Sequence, residues 1–245
     1  MNIQMIKFSL FLIFLFSINN VSIAEISNKD SSSSNEIYSK LIIPLSLIST
    51  GLIVNKSTFE KSVNSDIIDY VGPNYYFGID DYTQHIPFIE MYIADIAGVE
   101  AKNHWFDQTK YLLISNIISS GTTLTLKKLT KKQRPVGADD SFPSGHTTEA
   151  FTNATVLYNE FSQTSDILAY SGYAFAVTTG AFRMINNRHW LSDVLVGAGI
   201  GMLATELVYY IEPFKDFNPF IDTDNITLIP SYNNSEYGLY FSYKF

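Results

Sequence analysis

Apolar residues recur at helical spacing through most of this chain, and the pattern predicts an all-α bundle. Proline and glycine mark where the predicted helices bend or end, with a kink at Pro44, an end at Gly98 and a stop before Pro213. The six predicted helices cover residues 38–54, 86–99, 107–129, 147–161, 166–184 and 191–211. They form one predicted helical domain over residues 37–215, as expected for a chain of 245 residues.

The segment 191–211 has the length of a membrane span, so its pattern allows two interpretations. Asp193 and Glu206 interrupt it, and three glycines favour the close approach of neighbouring helices: Gly197, Gly199 and Gly201. We therefore favour a buried helix of the bundle, while contact with a membrane surface stays open. The segment 38–54 is too short and too interrupted by polar residues to predict a span.

The C-terminal residues follow a different period. Aromatic and apolar side chains occupy every second position from Tyr237 to Phe245, after the turn-like Asn233-Asn234-Ser235. This alternation predicts a short β-hairpin extension over residues 216–245, packed against the helices. A single hairpin cannot close a membrane barrel.

The N-terminus has the pattern of an export signal. Lys7 precedes the apolar stretch 8–18, and small residues up to Ala24 form a cleavage site. Residues 1–24 are therefore predicted to be a signal peptide that directs the protein to the periplasm, and an uncleaved anchor would export it in the same direction. Residues 25–36, which include four consecutive serines, are predicted to be a disordered leader.

Composition excludes several classes of site. The chain has 16 Lys and Arg against 24 Asp and Glu, a formal net charge of −8, and no long basic run, so nucleic acid is not an expected partner. It has no cysteine, which excludes a disulfide framework, a catalytic thiolate and cysteine-ligated metal sites.

Two clusters near predicted helix boundaries supply donors for an anion. Lys127 and Arg134 lie seven residues apart, about two helical turns, so both can point into one cavity. The segment Pro143-Ser144-Gly145-His146 passes into a helix, where first-turn N–H groups bind anions, Ser144 offers a hydroxyl and Gly145 lets the backbone come close. A tetrahedral phosphate needs such fixed donors around its equatorial oxygens.

A third cluster supplies an activated nucleophile. His189 and Asp193 are four residues apart at the start of a helix, so the carboxylate can hold one ring nitrogen while the other faces phosphorus. Arg183, six residues before His189, offers a fork for two phosphate oxygens. His146 has no acidic residue at that spacing, as suits a proton donor. Two further histidines belong to no cluster and are predicted to be structural or surface residues: His85 and His104.

These stretches resemble the type 2 phosphatidic acid phosphatase superfamily, which includes bacterial non-specific acid phosphatases and vanadium haloperoxidases. Its motifs are K-x6-R-P, P-S-G-H and S-R-x5-H-x3-D, and the match covers residues 127–193. The resemblance implies that family's helical bundle, protonation of the leaving group by His146, and phosphorylation of His189 with Asp193 behind it. It assigns phosphate binding to Lys127, Arg134, Ser144, Gly145 and Arg183. Phe182 departs from the motif, which usually has serine there.

The expected function is metal-independent hydrolysis of phosphate monoesters through a phosphohistidine, without a cofactor. The expected substrate is a phosphorylated small molecule, or a lipid phosphate or pyrophosphate of the cell envelope that is reached by peripheral membrane contact. Two alternatives remain: a vanadate-dependent haloperoxidase, because the same anion pocket can hold vanadate, and a non-catalytic envelope-associated module that docks through the hairpin. The intact set of nucleophile, acid and anion donors favours the phosphatase.

Overall fold

The structure, a computed structural model, describes residues 32–211, 226–233 and 236–243. The predicted signal peptide, residues 1–24, lies outside the described residues. Within residues 32–211 the chain forms eight helices: α1 (Ser32–Val54), α2 (Thr58–Val71), α3 (Asp80–Thr83), α4 (Ile86–Ile96), α5 (Trp105–Thr130), α6 (Gly145–Phe161), α7 (Asp166–Ile185) and α8 (Leu191–Tyr210). The predicted all-α architecture of this unit is confirmed.

The first helix starts earlier than its sequence pattern predicts. Helix α1 begins at Ser32, so residues 32–36 are helical and the predicted disordered leader is wrong for them. The rest of that leader lies outside the described residues. The helix continues through Pro44.

Two helices have no counterpart in the predicted pattern. Helix α2 has apolar residues at every fourth position, Phe59, Val63, Ile67 and Val71, and Ser57 caps it by accepting a hydrogen bond from the Glu60 N–H at 3.1 Å. Val63 and Ile67 of this helix pack against the buried cluster that includes Leu191. The Ser-x-x-Glu pattern is the sequence signal that indicates its start. Helix α3 is a single turn of four residues, too short for periodicity to reveal.

Helix α8 lies in the core of the helical unit. Its segment Leu191–Tyr210 is 89% buried, and it packs against α1, α5 and α6. A Cβ added at Gly199 would lie 2.6 Å from the Pro44 carbonyl oxygen, and one at Gly197 would lie 2.7 Å from the Ser144 carbonyl oxygen. The predicted role of these glycines in close helix packing is therefore confirmed, and α8 is a buried helix of the bundle.

Helix α1 resembles α8 in composition but lies in the opposite environment. The stretch Ile37–Val54 has a mean hydropathy of 1.8, against 1.6 for α8, and only 11% of it is buried. Both stretches are long and apolar enough to cross a membrane, so the prediction that 38–54 is too short and too interrupted is corrected. Its one basic residue, Lys40, lies 4.0 Å from Glu206 of α8, so this charge is balanced within the protein.

A second compact unit begins at Ile211, after the helical unit ends at Tyr210. Its described residues form two antiparallel strands, β1 (Ile226–Asn233) and β2 (Glu236–Tyr243), with Ile226 opposite Tyr243. Residues 216–225, 234–235 and 244–245 of the predicted extension lie outside the described residues. Every candidate site residue belongs to the helical unit.

Candidate active site

The three predicted motifs meet at one end of the helical bundle, where α5 and α7 end and α6 and α8 begin. The second and third motifs touch through the backbone, because the Ser144 N–H donates a hydrogen bond to the Asp193 carbonyl oxygen at 2.9 Å. The first and second touch through a side chain, since a Cβ added at Gly145 would lie 4.0 Å from Cε of Lys127. Clusters that are separate in the sequence therefore form one site.

His189 is the buried histidine of this site, with 2% of its surface exposed. Its Nδ1 lies 3.5 Å from Oδ2 of Asp193, which is longer than a good hydrogen bond, and it makes no hydrogen bond to the described residues. Asp193 therefore acts on the ring as a close negative charge, and a small shift on substrate binding would form the bond. The arrangement leaves Nε2 as the ring nitrogen able to attack phosphorus.

Burial dominates the protonation of His189. It lowers the pKa of the ring to about 4, although the Asp193 carboxylate opposes this change. Arg183 and Lys127 lower the same pKa further. The ring is therefore neutral above that pH, and the neutral ring is the form that can act as a nucleophile.

Asp193 is fixed by buried contacts that the sequence pattern does not reveal. Its Oδ1 accepts a hydrogen bond from Nζ of Lys132 at 2.9 Å. Its Oδ2 accepts hydrogen bonds from the Trp190 N–H at 2.9 Å and from the Ser141 hydroxyl. Because three donors engage both oxygens, the carboxylate is held in one orientation beside His189.

Lys132 is balanced in turn by a second carboxylate, Glu60 of α2. Its Nζ lies 3.2 Å from Oε1 of Glu60 and 2.8 Å from the Ser192 hydroxyl, and all three side chains are buried. Charges thus alternate from Glu60 to Lys132 to Asp193, which offsets part of the cost of burying each one. Glu60 and Lys132 lie 72 residues apart, so no local spacing predicts their contact.

Two arginines offer buried donors to an anion. Arg183 is 7% exposed, and its Nη1 donates a hydrogen bond to Oδ2 of Asp80 at 2.5 Å. The Nε of Arg183 and the Nε of Arg134 are both buried without a hydrogen-bond partner among the described residues. Buried N–H groups need acceptors, so these are the donors that we expect to meet phosphate oxygens.

Lys127 supplies the third cation of the site. Its Nζ donates hydrogen bonds to the carbonyl oxygens of Asp140 at 2.6 Å and Ser141 at 3.4 Å. Burial lowers the pKa of its ammonium group to about 8, and the neighbouring Arg134 acts in the same direction. Lys127 is therefore mostly protonated at neutral pH and adds its positive charge to the site.

The Pro-Ser-Gly-His turn leads into α6 as predicted. The buried Ser144 hydroxyl caps the helix by accepting hydrogen bonds from the Thr147 N–H at 3.4 Å and the Thr147 hydroxyl at 2.9 Å. The N–H groups of Gly145 and His146 lie in the first turn, where an α-helix provides no acceptor. They can therefore bind an anion.

His146 has a carboxylate partner that its sequence neighbours do not provide. Its Nε2 lies 2.8 Å from Oδ1 of Asp81 in α3, and the two side chains are 33% and 50% exposed. Burial lowers the pKa of His146 below its usual range, and the Arg183 charge lowers it further. Asp81 and Asp80 oppose this change by stabilising the protonated ring.

Asp80, Asp81 and His146 place three potential metal-ligand atoms within 4.8 Å of one another. Both oxygens of Asp80 accept hydrogen bonds, however, Oδ2 from Arg183 at 2.5 Å and Oδ1 from Asn186 at 2.8 Å. A cation at this position would lie beside the Arg183 guanidinium, which would repel it. The group is therefore better described as an ion-pair network at the edge of the anion donors.

The remaining residues singled out by the sequence have structural contacts. Nδ1 of His85 lies 3.0 Å from Oε1 of Glu149, and His104 caps the start of α5. Phe182, which stands where serine is usual, has its ring 5.8 Å from that of Phe77. Phe182 thus makes an aromatic contact between α7 and the loop before α3.

Comparison with known proteins identifies relatives of this chain. The PAP2 superfamily model matches residues 117–216. The Lipid A 1-phosphatase of Porphyromonas gingivalis is 32% identical over 164 residues, which cover 65% of this chain and 37% of that protein. The crystal structure of Aquifex aeolicus LpxE is 20% identical with a TM-score of 0.44, covering 59% of this chain and 93% of that one. The crystal structure of the first transmembrane PAP2 type phosphatidylglycerolphosphate phosphatase from Bacillus subtilis is 19% identical with a TM-score of 0.45, covering 68% and 94%.

The family match includes all three motifs, from Lys127 to Asp193. The chain spans well under half the length of the curated relative that it matches. Glu60, the partner of Lys132, and Asp81, the partner of His146, lie outside the family match. The matched segment therefore contains the motifs but not all the residues that hold them in place.

Proposed function

Because residues 117–216 belong to the PAP2 superfamily, we propose that the protein hydrolyses the phosphate monoester of an envelope lipid through a phosphohistidine. One observation carries this proposal: two histidines, each beside a carboxylate, lie among three cations at one end of the bundle. This is the set that phosphoryl transfer requires, with a nucleophile, an acid and fixed positive charges.

The reaction proceeds in two balanced steps. Nε2 of His189 attacks phosphorus and forms an N–P bond while the P–O bond to the leaving group breaks, and His146 donates its proton to the departing oxygen. Water then attacks the phosphohistidine, His146 takes a proton from that water, and the N–P bond breaks to release inorganic phosphate. His146 thus acts first as acid and then as base.

The positive charges that stabilise the transition state come from the chain itself. The unpaired Nε groups of Arg134 and Arg183 and the ammonium group of Lys127 face the developing charge on the equatorial oxygens. First-turn N–H groups of α6 add uncharged donors. These groups support a metal-independent route.

Exposed apolar surface supports a lipid substrate at a membrane. Only 11% of the stretch Ile37–Val54 is buried, and α5 exposes Leu113, Ile117 and Leu124. A protein that exposes contiguous apolar surface of this kind needs a partner for it, and acyl chains are such a partner. The pattern of residues 1–24 supports export, which would place the site on the periplasmic side.

The test measures turnover of a lipid phosphate in mixed micelles and of a soluble aryl phosphate, each with and without EDTA. We expect hydrolysis of the lipid phosphate at a rate that EDTA leaves unchanged. Loss of activity in EDTA that a divalent cation restores would contradict the metal-independent route. Turnover of the aryl phosphate without any turnover of the lipid would contradict the proposed substrate class.

Vanadate separates the phosphatase from the haloperoxidase alternative. Five-coordinate vanadate resembles the in-line transition state, so it should inhibit hydrolysis in competition with substrate. A phosphatase rate that is unchanged in excess vanadate would count against the anion site.

A further inference from the structure

The contact between His146 and Asp81 joins two elements that are distant in the sequence. Oδ1 of Asp81 lies 2.8 Å from Nε2 of His146 and 4.0 Å from Nη1 of Arg183. Asp81 therefore stands between the acid and one of the phosphate-binding cations. Neither the motifs nor the spacing along the chain assigns it a role.

Helix α3 is anchored so that Asp81 keeps this position. The adjacent Asp80 is buried and accepts hydrogen bonds from Arg183 and Asn186. At the other end of the turn, the Thr83 and Thr179 hydroxyls are hydrogen-bonded at 2.7 Å. Both anchors tie α3 to the end of α7, so the carboxylate that follows Asp80 is presented to His146 by a fixed backbone.

We propose that Asp81 is a positioning residue for His146. The Asp81 carboxylate accepts a hydrogen bond from Nε2–H of His146, so that Nδ1–H supplies the proton given to the leaving-group oxygen. This role rests on the proposed phosphatase function. After transfer the proton resides on the leaving group and the ring is neutral, with Nε2–H still bonded to Asp81. The carboxylate itself gains and loses no proton.

The effect of Asp81 on the His146 ring depends on the other charged groups around that ring. Arg183 and Lys127 are positive, and Lys127 lies against the neighbouring Gly145. Asp80 and Asp81 are negative and stabilise the protonated ring. Asp80 already forms an ion pair with Arg183, so Asp81 is the carboxylate in direct contact with the acid. Removing it should lower the pKa of His146 further.

The kinetic test uses Asp81→Asn, with Glu149→Gln as its matched control. Glu149 also contacts a histidine, His85, at 3.0 Å, and it lies on the same helix as His146 but outside the site. We expect Asp81→Asn to slow an alkyl phosphate by about tenfold and an activated aryl phosphate by less than about threefold, because an acidic phenol needs little protonation. The alkaline limb of its pH profile should move to lower pH, and Asp81→Glu should restore part of the loss. Glu149→Gln should change none of these values.

Two outcomes of this assay would overturn the role of Asp81. One is an equal loss on both substrates, and the other is an alkaline limb that stays in place. Wild-type protein that hydrolyses neither phosphate would overturn the proposed function and, with it, the catalytic role. Active wild-type protein with an unaffected Asp81→Asn variant would overturn only the inference about Asp81.

A second measurement does not depend on turnover. The chain has four histidines, so their ring signals can be assigned by substitution and titrated by NMR in the purified, micelle-bound protein. Asp81→Asn should lower the pKa of His146, whereas Glu149→Gln should leave it unchanged. A His146 titration that is identical in wild type and Asp81→Asn would contradict the proposal.

Discussion

The two histidines of the site are alike in having a carboxylate neighbour and opposite in their surroundings. His189 is 2% exposed, and its partner Asp193 is tied to the buried pair of Lys132 and Glu60. The His146 side chain is 33% exposed and contacts the half-exposed Asp81. The buried pair fixes the orientation of the proposed nucleophile, whereas the exposed pair leaves the proposed acid able to exchange protons with water and the leaving group.

Burial lowers the pKa of both histidines, but the charged groups around each ring differ. It lowers the pKa of His189 to about 4, so this ring is neutral over most of the pH range. Burial and the Arg183 charge also lower the pKa of His146, and Asp81 and Asp80 oppose this change. In the proposed mechanism these different environments make one histidine the nucleophile and the other the acid.

Removal of the proposed nucleophile, His189, should have the largest effect on turnover. His189→Ala should lower turnover by roughly four orders of magnitude or more, because the covalent route is lost. Labelled substrate, rapid quenching at neutral to alkaline pH and peptide mapping should place phosphate on the His189 peptide of a slowed Asp193→Asn variant. His85→Ala is the control and should keep normal activity. Phosphate found on the His146 peptide would reverse the two roles.

Removing the acid should depend on the leaving group. His146→Ala should slow an alkyl or lipid phosphate by about 10²- to 10⁴-fold, the usual contribution of general acid catalysis. An activated aryl phosphate should lose less than about tenfold, because its leaving group departs without a proton. The measurement is kcat on both substrates. An equal loss on both would mean that His146 binds phosphate and does not protonate the leaving group.

The buried network behind His189 should show its effect in stability as well as in rate. Lys132→Met leaves Glu60 and Asp193 as buried carboxylates without their shared cation, which should lower the free energy of unfolding by about 3–5 kcal/mol. Denaturation in micelles measures this change, with Lys128→Met on the exposed face of α5 as control. Similar unfolding curves for the two variants would show that the network is not needed to hold Asp193.

The smallest expected effect is a shift in the pH dependence of kcat/KM. As the pH increases, kcat/KM should rise near pH 4, where His189 loses its proton. It should then decrease, with a midpoint below pH 6.5, as His146 loses its own proton. Asp193→Asn should move the acidic limb to lower pH, because Asp193 stabilises the protonated form of His189. Asp81→Asn should move only the alkaline limb. An optimum above pH 7 would contradict the lowered pKa of His146.

The sequence by itself determined the helices that carry the motifs and the local pairing of His189 with Asp193. Both follow from backbone geometry, since helical periodicity and the four-residue spacing act over a single turn or a few turns. The close packing of α8 could also be predicted from the sequence. Its glycines have no side chain and so indicate that a neighbouring helix approaches closely, even when that helix is unknown.

Only the tertiary structure decided which residues support the two histidines. Glu60 reaches Lys132 across 72 residues and Asp81 reaches His146 across 65, and both come from helices outside the six that we predict from the sequence. For the same reason, hydropathy does not distinguish α1 from α8. The two helices have similar mean hydropathy, although α1 is exposed and α8 is buried. Such contacts depend on how helices pack around one another, and packing depends on the whole chain at once and not on any local pattern.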